Sequence, residues 1–316
     1  MDIFSIGEMV IDFIPGTEPG SYIRNAGGAP ANVAIAAVRN GLEASLCCSV
    51  GDDDFGRFLV DTLQENRVKV LNPRYCAKAI TTMAFVSLTE NGERSFTFAR
   101  KPGADMFLEP DDVRKEDIKA SVIVHAGSCS LSAEPVAEAT RKALKLGHES
   151  GKMVSFDVNY RNLMWNDDQD ACTNAVLEIL PCVDLLKISD EEVGMLGGES
   201  NIPALMDEKG ISLTIETLGS HGARCFFRGE IIEIPGINKK AVDTTGAGDA
   251  FWGGFLSGLR IQGIENVGQL SAQAIRKAMN YGNAAGWICC QSKGAIASLP
   301  TREKIEALLS QGECHE

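Results

Sequence analysis

Short apolar runs rich in β-branched residues recur through the middle of the chain. Residues 121–127 read SVIVHAG, 152–158 KMVSFDV, 183–189 VDLLKIS and 212–219 SLTIETLG. They begin about 30 residues apart, the length of a strand, a crossover helix and two loops. Between them, apolar residues fall at helical spacing. In residues 134–149 Val136, Ala139, Ala143 and Leu146 form one stripe, and residues 168–180 repeat the habit. The stretches DIFSIGE (2–8) and EASLCCSVGDD (43–53) each predict a further strand. Strands alternating with helices predict an α/β fold, a doubly wound and mostly parallel sheet. In such sheets ligands bind beyond the carboxyl ends of the strands. Those ends carry Gly127-Ser128, Asp157 to Arg161, Lys187 to Ser189, and Thr217 to Gly219.

Two segments break the rhythm. Residues 81–105 alternate apolar and polar positions on both sides of Asn91-Gly92, a strong hairpin turn. Residues 8–28 read as strand, Pro/Gly turn and strand. Both are extra to a doubly wound sheet, so one domain over 1–316 is expected, with β insertions near 9–26 and 80–105 acting as a small lid on the ligand edge. A plain edge extension of the main sheet is the alternative.

Composition narrows the function. The 316 residues are 44% apolar and carry a formal net charge of −13, a globular balance that argues against a nucleic-acid partner. The opening residues lack a basic leader and soon carry Glu8 and Asp12, and no apolar run approaches about 18 residues. A cytoplasmic protein with no membrane partner is expected. The ten cysteines are scattered without a C-x-x-C pair, so they read as reduced, small core residues. Cys314 and His315 offer two soft ligands at the tail but lack a second cluster, and the four histidines stand isolated as surface or core residues.

The chemistry concentrates in DTTGAGDAFWGGFL, Asp243 to Leu256. A phosphate-binding loop of the G-x-x-x-x-G-K-[ST] kind is absent, and GAGDAF lacks the third glycine of a dinucleotide fingerprint, which excludes a Rossmann dehydrogenase. Ala250, Phe251, Phe255, Leu256 and Leu259 form a helical apolar stripe, with Gly253, Gly254 and Gly258 permitting close packing. Gly246, Ala247 and Gly248 therefore turn into a helix N-terminus, whose amides favour an anion. Asp249 reads in two ways: an N-cap, or a general base beside that anion site. The residues alone leave both open. A second glycine-led stretch, NAGGAPANVAIAAVRNG from Asn25, has Pro30 in a first helical turn and Asn32 near the helix start, where its amide can read sugar hydroxyls.

Together these stretches resemble the two signatures of the PfkB (ribokinase-like) carbohydrate kinases, and the likeness spans essentially the whole chain. Intermediate landmarks agree: GE…D ending at Asp12, DVNYR from Asp157, KISDEE from Lys187, TLGSHG from Thr217 and KGAIASLP from Lys293. The resemblance implies a ribokinase-like fold and ATP-dependent phosphorylation of a sugar hydroxyl, with Mg²⁺ and, in many members, K⁺. It makes Asp249 the catalytic base and Gly246, Ala247 and Gly248 the anion hole. Lys187, Ser189, Thr217, Gly219, Ser220, Gly222, Gly248 and Asn283 fall at nucleotide positions. Glu192 matches the acidic residue tied indirectly to Mg²⁺, although Ser189 replaces the asparagine usual three places before it. Asp243, Thr245, Cys289, Ser292, Gly294 and Ser298 match a monovalent-cation loop, mostly through backbone oxygens.

Asp12, Gly28, Asn32 and Asp249 match sugar-binding positions, and Arg161 with Arg100 resembles the branch of fructokinases, 2-keto-3-deoxygluconate kinases and aminoimidazole riboside kinases. Fructokinase is the expected activity. A 2-keto-3-deoxygluconate kinase, with Arg161 on the substrate carboxylate, is the first rival. A ribose, aminoimidazole riboside or nucleoside kinase, with Phe98 stacked on a base, is the second. Arg24, Arg100 and Lys101 would suit a phosphosugar but read first as mobile surface charges. A non-catalytic regulatory relative should have lost the base or the anion hole, and both are present. A second copy of the chain, docked through the lid, is the macromolecular partner expected.

Overall fold

A computed structural model describes residues 1–311 except 19, 72, 89–93 and 238–239, and describes no side chain at 88 or 94–96. The Asn91-Gly92 turn and the tail residues Cys314 and His315 lie outside the described residues. The strands in chain order are β1 (Ile3–Ile6), β2 (Val10–Pro15), β3 (Tyr22–Gly27), β4 (Ala44–Cys47), β5 (Ser49–Gly51), β6 (Lys69–Val70), β7 (Arg74–Cys76), β8 (Met83–Leu88) and β9 (Arg94–Ala99). They continue as β10 (Ile123–Gly127), β11 (Met153–Asp157), β12 (Leu185–Ser189), β13 (Leu213–Thr217), β14 (Gly222–Phe227) and β15 (Glu230–Pro235).

Nine of them form the central sheet in the order β15-β14-β13-β12-β11-β10-β1-β4-β6. The pairs from β6 to β13 run parallel, and β14 and β15 add an antiparallel edge. The four mid-chain apolar runs are the consecutive neighbours β10 to β13, buried on both faces as a parallel sheet requires. One face packs Ile35, Trp252 and Phe255, the other Phe156, Trp165 and Val176. His125 is a core histidine: fully buried on β10 and bonded to Ser155 Oγ at 3.0 Å, it is pushed down to about 4 by burial.

Two expectations need correction. EASLCCSVGDD is not one strand: it splits at Cys48, β4 joining the main sheet while β5 pairs with β7 in a separate two-stranded sheet. The β14–β15 hairpin has no counterpart in the sequence reading. Its turn is Arg228-Gly229, both at positive φ (48° and 80°), and arginine is a rare occupant of that region.

The two insertions come together as one sheet, β3-β2-β8-β9, in which β2 and β8 pair parallel. Phe13 of β2 stacks on Phe85 of β8 at 4.9 Å, and Phe55 meets it edge-on at 5.7 Å from the helix after β5. No helix among the described residues is long and apolar enough to cross a membrane.

Candidate active site

The Ala247–Ile261 helix begins beyond the strand ends and is capped by Gly246 at φ 78°, with no side-chain cap. The N-cap reading of Asp249 is thereby overturned. Asp249 stands in the first turn inside the helix, is 7% exposed, and accepts a hydrogen bond on Oδ2 from Asn32 Nδ2 at 2.7 Å. Two helices with their N-termini side by side make that contact. Asn32 lies in α1 (Ala29–Arg39), one turn before Ala36, and Asp249 lies one turn before Gly253. A methyl group at Gly253 would sit 2.6 Å from Ala36 Cβ, so only glycine lets the helices approach this closely.

Two cavities meet at this turn. One of about 240 Å³ is lined by Ala247 and Gly248 and by Thr217, Gly219, Ser220, Gly222 and Asn283. The other, about 570 Å³, is lined by Asp249 with Asp12, Gly28, Asn32 and Arg161. Thr244 lines both. The structure therefore gathers six expected nucleotide residues, Gly248 included, around one cavity and five expected sugar residues around its neighbour. A further cavity of about 580 Å³ at the β14–β15 edge, lined by Phe226 to Ile231, touches none of them.

Three expected residues lie elsewhere. Arg100 is neither a mobile surface charge nor part of the cavity wall. Its side chain is buried behind the wall, its Nε donating to Asp105 Oδ2 at 2.9 Å and its Nη1 to Ser132 Oγ and the Met164 carbonyl, both at 3.1 Å, while Nη2 lies 2.8 Å from Asp105 Oδ2 as an ion pair. Lys187 is likewise buried, its Nζ donating to both oxygens of Asp157 at 2.9 Å. That ammonium reaches the phosphate turn all the same, because a methyl group at Gly248 would lie 3.5 Å from it. Ser189 lines neither cavity, and its N–H donates to Glu192 Oε2 at 2.9 Å. Of the other two surface candidates, Arg24 lies over the Phe58 ring at 3.7 Å, and Lys101 is exposed.

Glu192 ties two strand ends together, its Oε1 accepting from Tyr160 N–H at 2.7 Å. The anion hole also differs in detail. Ala247 N–H donates to the Thr244 carbonyl at 3.1 Å, while the N–H of Gly248, one residue further into the helix, has no intrahelical acceptor. Asn283 Nδ2 donates to the Pro235 carbonyl at 2.9 Å, holding its helix to the end of β15.

The electrostatics follow from burial. Burial raises the Asp249 carboxyl above the usual range; Asn32 works against this, Asp157 adds to it, and Arg161 and Lys187 oppose it. Asp12 is pushed up to about 6 by burial and then by the charge of Asp249, with Arg161 opposing. Burial works to lower the Lys187 ammonium, but Asp157 and Glu192 outweigh it and the group is raised, hence charged.

Beside the turn, Asp243 accepts from Thr245 N–H at 2.9 Å and Gly294 N–H at 3.1 Å. Cys289 Sγ, pushed up to about 12 by burial and so a neutral thiol, approaches the Thr245 carbonyl at 3.7 Å. Ser298 Oγ donates to the Lys293 carbonyl at 3.2 Å, and Ser292 is exposed on the intervening turn. Among the described residues no cluster of His, Cys, Asp and Glu could hold a metal by itself. Glu8, which the sequence reading used only as a landmark, is a further cavity residue.

The description pfkB family carbohydrate kinase matches residues 1–302. Over 320 aligned residues the chain is 38% identical to a protein named probable fructokinase-5 of Arabidopsis thaliana, covering 97% of each. It superposes on fructokinase from Xylella fastidiosa with bound ATP at a TM-score of 0.91, with 28% identity and 98% of each chain covered. A double mutant of Vibrio cholerae O395 fructokinase, solved with fructose, ADP and a potassium ion, gives a TM-score of 0.88 and 32% identity, again with 98% of each chain covered. A match across nearly the whole chain, on a scaffold that sets a helix N-terminus between two cavities, makes this chain a member of the PfkB family of carbohydrate kinases.

Proposed function

We propose that the protein is a fructokinase, transferring the γ-phosphoryl group of ATP to the 6-hydroxyl of D-fructose. The observation that carries this reading is the position of one helical turn between two cavities, with Gly248, whose N–H lacks an intrahelical acceptor, lining one and the buried Asp249 carboxylate lining the other. ATP would occupy the cavity along Thr217 to Gly222, with its phosphates toward Gly248, and the sugar the cavity of Asp12, Asn32 and Arg161. Asn32 holds Oδ2 of Asp249 and orients the carboxylate, so that Oδ1 takes the hydroxyl proton. As that proton leaves, the sugar oxygen forms its bond to the γ-phosphorus and the bond to the β-phosphate oxygen breaks. The Gly248 N–H and the Lys187 ammonium stabilise the charge that develops.

Mg²⁺, when bound with ATP, would neutralise charge on the phosphates; Glu192, whose oxygens accept from the Tyr160 and Ser189 N–H groups, is the residue that would hold its water shell. A single carboxylate, a neutral thiol and backbone carbonyls beside the turn would suit K⁺, a large monovalent ion, better than a divalent one. A second substrate reading, a sugar acid such as 2-keto-3-deoxygluconate, is favoured by Arg161, which lines the cavity and whose Nη1 donates to the Tyr160 carbonyl at 3.0 Å. ADP release with Mg-ATP and potassium, across fructose, 2-keto-3-deoxygluconate, ribose and aminoimidazole riboside, tests both. A dominant kcat/KM for fructose is expected. A dominant value for the sugar acid would move the assignment to the second reading, and silence on all with ATP still binding would point to another substrate or to a non-catalytic relative.

A further inference from the structure

We propose that Glu8 reads one oxygen of the bound sugar through its Oε2 atom and so helps decide which sugar the cavity accepts. This rests on the carbohydrate-kinase reading of the site. Glu8 follows β1 by two residues, is 4% exposed, and lines the same cavity as Asp12, Asn32, Arg161 and Asp249. Its two oxygens have different surroundings. Oε1 accepts the Ala29 N–H at 3.1 Å, in the first turn of α1. Oε2 is buried and has no hydrogen-bond partner within the protein. A cap for α1 needs only one acceptor, which a serine or threonine hydroxyl supplies without burying a second polar atom. Leaving Oε2 unpaired in a protein wall is costly unless a ligand completes it.

Nor does the backbone let the carboxyl withdraw. A methyl group at Gly28 would lie 2.3 Å from the Glu8 carbonyl oxygen, so the Glu8 main chain is pressed against the start of α1. A second atom supports the assignment independently. Asn32 Oδ1, on α1 and in the same wall, is also buried without a protein partner, while its Nδ2 holds Asp249. Two elements thus bring unpaired oxygens to the wall of one cavity with room for a small polyol, and sugar hydroxyls are the ligand chemistry that satisfies both. The groups facing Glu8 are Asp105, Arg100 and Cys129. Burial, against the amides of Glu8 and Ala29, raises the carboxyl to about 7, with Asp105 adding to the rise and Arg100 opposing it. Near neutrality the group therefore offers Oε2 both as donor and as acceptor, which suits a hydroxyl.

The test couples protein and substrate. Steady-state constants for wild type, Glu8→Gln and Glu8→Ala are measured with the sugar that wild type phosphorylates best, and again with its monodeoxy analogues. Glu8→Ala is expected to raise KM for that sugar by about tenfold or more, leaving KM for ATP within about twofold. Glu8→Gln keeps an acceptor for Ala29 and a donor for the sugar, and should recover most of the loss. One deoxy analogue should lose as much with wild type as Glu8→Ala loses with the full sugar, and nothing further with Glu8→Ala. Additive losses for every analogue, or equal effects on both KM values alongside a lowered Tm, would reduce Glu8 to a helix cap. Wild type that prefers another sugar to fructose would overturn the fructose assignment alone.

Discussion

At the residue scale the site depends on which atoms a single carbon would touch. Gly246 and Gly248 are two places apart yet are glycine for different reasons. At Gly246 a side chain meets both a positive φ and Ala295 Cβ at 2.8 Å, whereas at Gly248 a methyl group fits, in ordinary contact with the Lys187 side chain. Gly246→Ala should therefore destabilise the fold by roughly 1–2 kcal/mol or more. Gly248→Ala should leave Tm unchanged while lowering kcat/KM for ATP at least about tenfold, because the methyl group occupies the approach of the phosphates. Thermal melts and ATP titrations separate the two; a Gly248→Ala enzyme with wild-type kinetics would mean the phosphates lie elsewhere. The pH profile belongs here too. Asp249 must be ionised to accept a proton, and its folded value is raised, so kcat should fall on acidification at a pH above the usual aspartate range, and recover above it. A kcat that stays flat down to the ordinary aspartate range would contradict that.

What could be read from sequence at this scale was what the motifs confined to a few neighbouring residues. The turn around Gly246 to Asp249 was legible because glycines, an acid and an apolar stripe stand together. Arg100 was not, because its partner Asp105 is reached through a bend and its other acceptors, Ser132 and Met164, come from distant loops. Asp249 as a cap was a fair reading of composition, and failed because Gly246 takes the cap position with a backbone conformation that aspartate adopts only at a cost.

At the element scale the decisive contact is between two helix N-termini. Gly253 against Ala36 sets the distance at which Asn32 reaches Asp249, one turn earlier on each helix. Gly253→Val should overpack this crossing, costing roughly 1–3 kcal/mol, and should also lower kcat because the Asn32 bond is stretched. A variant that melts early yet turns over normally per folded molecule would show that the spacing serves stability alone. The alternation of strand and helix made β10 to β13 legible. The β4/β5 break was hidden because Cys47 and Cys48 continue the same apolar run while the chain changes sheets. The β14–β15 hairpin was hidden by its Arg228-Gly229 turn.

At the scale of the whole molecule, the four-stranded sheet supplies Asp12 from β2 and Phe98 from β9 to the cavity that Asp249 lines, so this sheet and the main fold share one site. Tyr22 and Ile23 on β3 are 46% and 57% exposed, and this is the face where the dimer expected from the sequence would dock. Sedimentation should show a dimer that Ile23→Lys weakens; a monomer at all concentrations would remove that expectation.

The central claim is that Asp249 takes the proton from a sugar hydroxyl as the phosphoryl group moves. The most direct measurement is single-turnover transfer from labelled ATP to fructose, comparing wild type with Asp249→Asn, with ATP binding measured in parallel. A rate lowered by at least about 10²-fold with ATP still bound is the predicted result. Transfer at a near wild-type rate would contradict the account.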